Sequence, residues 1–514
     1  MRKRSLFIAL CVLLFGAACQ LTSPRPSSLS NTNASQNIQE TNAAAFLSPT
    51  ADAIEAQQYP TETPTALATL TKTLQPGADS PGPWLVYPSP ALDGLHAYDL
   101  TSKKIIEIPL PVPIYFGDLS SGRSPDGQTL MIRAGSPSNT DELALYRVEI
   151  PAGKAEKITP LLSIILHRQF VNQEGTRAAA AFQSVIREDA LAWSSDSRFL
   201  AFSAAINTQT SDLYVVDTVN DRIVRVNGHF SQSASPFWSP GGNWLISQEL
   251  SEFDAQTGWR ADFVTAVLAP TFAQQKTLYL APANSHEEIF IGWINAQNFI
   301  SISNTDQGPQ IIRQINVENN RVVVLFSGQF RQAAVDPVNR ALAFVLTYDQ
   351  GISQNMDGGI YLLPSDASNF QLVRAGAWHD LWFDPAGMFA AVGTSGVFKF
   401  TPGEGGVFIP DKNGLTLSPQ GNWMIGWRGG QASDAGAWLY QPNSDHPLQR
   451  LLEAGVKHVF WQPDSMGFFI YTIEGLYHFE FPRLRPIEIE IGFPDPFPME
   501  FALLEADPSA DRID

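Results

Sequence analysis

Past residue 82 the chain is a succession of short apolar runs separated by polar turns, and the runs recur in one order. The first kind follows a turn and is apolar at nearly every position: Phe199-Leu200-Ala201-Phe202, Ala341-Leu342-Ala343-Phe344-Val345, Phe468-Phe469-Ile470-Tyr471. Runs this short, bounded by turn residues, read as strands, and apolarity on both faces predicts that other layers cover them. A strand with an aliphatic-tyrosine pair comes next: Leu213-Tyr214-Val215, Ile360-Tyr361-Leu362, Leu476-Tyr477-His478. A shorter one, as in Arg222-Ile223-Val224-Arg225-Val226, closes the unit.

The turn ahead of the first run is the most regular feature. It reads Ser124-Pro125-Asp126-Gly127, Trp193-Ser194-Ser195-Asp196-Ser197 and Trp238-Ser239-Pro240-Gly241-Gly242. Worn copies stand at Asp336-Pro337, Asp384-Pro385-Ala386-Gly387, Ser418-Pro419-Gln420-Gly421 and Gln462-Pro463-Asp464-Ser465, with an eroded one at Trp293-Ile294-Asn295. Serine at the first position bonds the turn backbone, proline pre-sets the next φ, and glycine accepts positive φ at the end. Trp193, Trp238, Trp293 and Trp461 share one position relative to this turn, which predicts a common packing role between units.

Successive copies stand roughly 35 to 55 residues apart, a period that together with four strands per unit predicts an all-β fold, a single β-propeller of four-stranded blades. The repeats resemble the TolB-like, or PD40, subclass of WD40-type propellers, whose hallmark is this turn followed by an apolar strand and an aliphatic-tyrosine strand. The expected propeller covers 83–502. Its opening segment, 84–109, lacks a first strand, and a C-terminal strand within 487–501 is expected to supply it. Eight blades are favoured, within a range of seven to nine. The long gap between the turns at Ser124 and Ser194 predicts an insertion at about 161–187.

The amino terminus has a different grammar. Arg2, Lys3 and Arg4 precede a short apolar run and the small-residue site Gly16-Ala17-Ala18-Cys19. That is the layout of an export signal, too short to span a bilayer. The junction resembles the lipobox of bacterial lipoproteins, although Gly16 stands where leucine is usual. The resemblance implies a lipoprotein signal peptide at 1–18 and lipidation of Cys19, hence a protein anchored to a membrane outside the cytoplasm. Residues 19–82 are rich in Ser, Thr, Asn, Ala and Pro, which predicts a flexible linker with a reach of roughly 40 Å. An acidic tail is expected over 503–514.

Composition narrows function further. The net charge is −18, with no basic stripe, so nucleic acid is not an expected partner. Of the 2 cysteines, Cys11 lies inside the signal, so the mature chain is expected to hold no internal disulfide.

Candidate chemistry is sparse. A propeller-bearing hydrolase would need a G-x-S-x-G elbow in a further α/β domain, and Gly393-Thr394-Ser395-Gly396 lacks that spacing. None of the 8 histidines pairs at metal-binding spacing, so no metal or cofactor is expected. His478 lies in a strand, which predicts packing or edge exposure. Some TolB-like propellers are lyases with histidines around the central channel. By that resemblance His229, His379 and His458, at or near innermost strands, are the channel candidates. Trp259, read as part of an inter-strand loop, is the remaining one. The expectation is a binding or scaffolding module for a protein or an envelope polymer. The alternative is a propeller enzyme, a carbohydrate lyase or hydrolase, acting in the channel.

Overall fold

The computed structural model describes residues 82–505 apart from 137–142, 173–175, 207–209, 228–230, 255–257, 281–284, 306–308, 366–368, 385–386, 388, 402–404, 431–433 and 490–499. The signal, Cys19 and the linker lie outside the described residues. What is described is a β-propeller of nine antiparallel sheets, the top of the expected range and one more than the favoured eight. The extra blade is the eroded unit at Trp293, whose turn has lost its serine and proline but whose strands remain.

Blades 3 to 9 occupy 191–225, 232–280, 285–328, 332–375, 378–410, 414–452 and 456–489, each with its four strands in chain order. Their first strands touch from blade to blade, as Gln332–Val335 touches Trp378–Phe383, and so line the middle of the ring. Their fourth strands are the most exposed.

Blade 1 is assembled from both ends of the described chain. Ala502–Leu504 forms its innermost strand, beside Trp84–Pro88, Gly94–Asp99 and Ile105–Pro109. The register is Trp84↔Leu504, Leu85↔Leu503 and Val86↔Ala502. Leu85 and Tyr87 then pack on Phe469 and Tyr471 of blade 9, which closes the ring. The closing strand thus falls just past the expected window and straddles the expected boundary between propeller and tail at 502/503. Ile487–Ile489 is instead the outermost strand of blade 9. Prolines at 494, 496 and 498 cannot donate to a ladder, which leaves the later, proline-free stretch to pair.

Blade 2 has three strands, Met131–Ala134, Ala144–Glu149 and Lys154–Pro160. Helix α1 (Asp118–Ser121) precedes a single bridge, Arg123↔Leu130, where a first strand would be. The expected insertion follows this blade as helices α2 (Ile164–Val171) and α3 (Thr176–Val185). Leu166, Ala178, Ala181 and Val185 bury against Leu145, Leu200 and Phe202.

The repeated turn shows why its serine recurs. Oγ of Ser194, Ser239 and Ser418 accepts the amide of the residue five places on, at 2.9, 2.9 and 3.0 Å. Ser124 does the same from Thr129 at 2.9 Å. The fourth turn position has positive φ, supplied by Gly127, Gly242 and Gly421 but also by Ser197 and Ser465. Those two serines also bond across blades. Ser197 Oγ accepts the Asp126 amide of blade 2, and Ser465 Oγ accepts the Gln420 amide of blade 8. The tryptophans reach backwards as well. Nε1 of Trp193 donates to Gly122 O at 2.9 Å and Nε1 of Trp238 to Ala192 O at 3.0 Å, each in the preceding blade.

These turns yield a paired test. Ser465→Ala keeps the strained φ and loses the inter-blade bond, so urea unfolding should show a loss of about 1 kcal/mol. Ser465→Gly loses the bond but relieves a left-handed residue, worth about 1 kcal/mol, and should be close to neutral. Equal losses in both variants would mean that the φ angle carries no strain.

Candidate functional site

In each chain-ordered blade the first-to-second and third-to-fourth turns lie at one end of the strands, the turn face. The second-to-third connections and the links between blades lie at the other, the crossing face. Irregular structure concentrates on the crossing face. It carries α2 and α3, the hairpin of Trp244–Asp254 with Gly258–Leu268, and helix α4 (Tyr348–Ser353). Thr347 starts α4 with a capping box, its hydroxyl accepting from the Gln350 amide while the Gln350 side chain accepts from the Thr347 amide. Its outer side leaves Tyr348 68% and Ile352 60% exposed, and α2 leaves Ile164 58% and Ile165 63% exposed.

The channel candidates distribute as follows. His379 lies on Trp378–Phe383 and His458 on Val456–Trp461, the innermost strands of blades 7 and 9, as the repeat predicts. His229 lies outside the described residues. Nδ1 of His379 is 2.8 Å from Asp380 Oδ2, and Arg331 Nε donates to the His379 carbonyl at 2.5 Å. His458 keeps solvent contact but stacks on Phe460 at 6.0 Å, and Phe460 stacks on Phe469 and Phe501. This crowding by protein pushes the His458 pKa down and favours the neutral ring.

Sequence reasoning missed a partly buried carboxylate, Glu500. Glu500, just ahead of the closing strand, has its pKa raised by burial, opposed by a Ser120 hydrogen bond and assisted by the charge of Glu188. Among the described residues no hydrogen bond or ion pair joins His379, His458 and Glu500 to one another. Nor does any group of three His, Cys, Asp or Glu side chains there have the geometry to hold a metal ion.

Trp259 is placed differently from expectation. Its backbone lies in the strand Gly258–Leu268, opposite Phe253, because this hairpin extends well beyond its neighbours. His478 is a packing residue. It is buried flat on Phe469 at 4.6 Å with Nε2 3.1 Å from Gln462 Nε2, and burial lowers its pKa to about 4.

Two buried polar clusters lie between blades. Glu249 is fully buried and accepts from Asn227 Nδ2 at 2.8 Å, Ser233 Oγ at 2.8 Å and Ser231 Oγ at 3.1 Å. One seam along, Glu288 pairs with Arg313 at 2.9 Å, and the Gln248 side chain clasps the Glu288 backbone. A polar run, Ser247-Gln248-Glu249, set between the apolar Leu245-Ile246 and Leu250 of one strand was the available signal.

No family model matches the chain, and no curated protein matches it in sequence. Similarity to solved structures exists at the level of fold. A eukaryotic initiation factor is 12% identical, with 79% of this chain and 95% of that one covered and a TM-score of 0.47. Dipeptidyl peptidase 4 of Porphyromonas gingivalis is 11% identical over 77% of this chain and 65% of that one, with a TM-score of 0.46. Oligogalacturonate lyase of Vibrio parahaemolyticus is 11% identical over 69% and 97%, with a TM-score of 0.37. The likeness is one of architecture.

Proposed function

We propose that this chain is a lipid-anchored, extracytoplasmic propeller with TolB-like repeats that works as a binding or scaffolding module. Its partner is a protein or an envelope polymer, met on the crossing face. The observation that carries this reading is the set of exposed apolar side chains on added helices of that face: Ile164, Ile165, Tyr348 and Ile352. Helices inserted into a closed ring are free to turn such residues inward, and apolar pairs kept in water on one helix, Ile164 with Ile165 and Tyr348 with Ile352, mark contact surfaces. The basic-apolar-small start ending on Cys19 supports the anchor, and the serine-centred turn supports the repeat type.

Fractionation combined with photo-crosslinking tests it. Wild type should partition with membranes and Cys19→Ala with the soluble fraction. A photo-reactive residue at position 348 should give a discrete adduct in cells, while one at Val338 on the turn face should not. Retention of Cys19→Ala on membranes removes the anchor, and an adduct only from position 338 reverses the face.

A second reading, a carbohydrate lyase or hydrolase working in the channel, draws on neutral His458 together with the raised Glu500 beside Glu188. Turnover of a polysaccharide panel that His458→Ala abolishes would favour it over the scaffold.

A further inference from the structure

The outermost strand of each blade has one edge without a ladder partner among the described residues. Such an edge is a template for another chain, and natural sheets blunt it with charges or proline. Eight of the nine outer strands do so, from Glu107 in blade 1 and Lys154 in blade 2 to Pro447 in blade 8 and Glu488 in blade 9. The outer strand of blade 5, Val322–Gly328, is the exception. It reads Val-Val-Val-Leu-Phe-Ser-Gly, without a charge or a proline.

Its two sides differ in chemistry. Val322 and Val324 share one side, and Val324 is 57% exposed. Val323, on the other side, borders a cleft lined by Asn298, Gln314, Asn316, Asn319 and Arg321. Asn316 Nδ2 donates to Asn298 Oδ1 at 3.0 Å, so the floor of the cleft is a row of amides. A register shift against the neighbouring strand makes Leu325 a bulge, which twists the far half and leaves Val322–Val324 as the straight section beside the cleft.

We infer that the Val322–Gly328 edge docks an extended, uncharged segment of a partner protein as a fifth strand of blade 5. Main-chain hydrogen bonds to the free edge supply the attachment, and alternate side chains read the two sides. Residues on the valine side are aliphatic and preferably β-branched. Those over the cleft are Asn, Gln, Ser or Thr, able to bond amides. Like-charge repulsion disfavours a second copy, which would bring its own net charge of −18 to a chain of −18, and an uncharged segment of another protein meets no such opposition. The site lies on the rim of the propeller and does not depend on the crossing-face reading or on the anchor.

The test uses the full chain and a labelled peptide, acetyl-Thr-Val-Asn-Val-Thr-Val-Asn-Val-amide, with a control carrying Glu for each Val. The first peptide should bind saturably and slow hydrogen exchange at the amides of Val322–Gly328, while the control should do neither. Val324→Lys should weaken binding by about ten-fold or more, since a charge at an edge opposes pairing. Val324→Thr, uncharged and β-branched, should retain it, and an unchanged melting temperature in both shows that the fold is intact. Absence of binding, or equal binding by Val324→Lys, overturns the proposal. Self-association that Val324→Lys abolishes overturns the partner and gives the edge to a second copy.

Discussion

Asp118→Ala should lower the unfolding free energy by about 3–5 kcal/mol, the loss typical of breaking a buried ion pair from one side. Asp118 and Arg133 are 0% and 1% exposed, and the pair is bidentate, Nη2 to Oδ1 at 2.6 Å and Nε to Oδ2 at 2.9 Å. The same carboxylate accepts the Arg133 amide at 2.7 Å. Arg133 Nη1 donates to Val185 O at the end of α3, and its guanidinium lies 5.4 Å from the centre of the Tyr115 ring. This cluster stands where blade 2 lacks an innermost strand, and it ties α1, the first remaining strand and the inserted helices together. Removing Asp118 leaves a guanidinium stranded in the core. The double variant Asp118→Leu with Arg133→Met should recover most of the loss, because apolar replacements of similar size remove both desolvation costs at once. Urea denaturation decides it: losses under 1 kcal/mol for the single variant would show that water reaches the pair.

The second large effect is a pH dependence seated at Glu249. Burial raises its pKa from the usual carboxylate value of 4.5 to about 7, outweighing the serine hydroxyls that favour the charged form. Between those values the folded protein therefore holds a proton that the unfolded chain releases. Stability from this group is complete below pH 4.5 and is lost as pH rises through 7, by about 3 kcal/mol in all. Asp384, also raised to about 7 by burial, adds a loss of the same sign. His478, lowered to about 4, acts oppositely and reduces stability as pH falls from 6.5. Glu249→Gln cannot ionise, and its amide can still meet Asn227 and the serines. Its unfolding free energy should fall less than that of wild type between pH 5 and pH 8, by about 2–3 kcal/mol. Parallel pH profiles for the two proteins would mean that Glu249 is ionised throughout.

Much of the architecture could be read before any coordinates. Turn serines and strand runs are short-range signals, and the serines map onto local bonds, Ser194 to Phe199 and Ser418 to Trp423, while the shared tryptophan position was legible because the repeat carries it from blade to blade, as in Trp238 to Ala192. The insertion was legible because the spacing between two turns was too long for one blade. What escaped depends on contacts distant in sequence. Arg133 and Asp118 look like surface residues until α1, Tyr115 and the end of α3 enclose them in the place of a first strand of blade 2. Glu500 gains its environment from Ser120 and Glu188, hundreds of positions away in the chain. The closing strand was misplaced because pairing with Trp84 is a choice among several short C-terminal runs, and local preference does not rank them. His379 and His458 were placed on the correct strands, yet strand membership says nothing of what surrounds a side chain across a channel.

The clasp formed by Ala502–Leu504 on Trp84–Pro88 has a consequence for the order of events during biosynthesis. Three strands of blade 1 are translated first, but its innermost member arrives last, after every other blade. Until then Trp84–Pro88 offers its backbone to whatever strand is near, including those of other nascent chains. The strand Ala502–Leu504 therefore acts as a completion signal: a chain that stopped before residue 502 would carry an open seam, and quality-control proteases would meet it there.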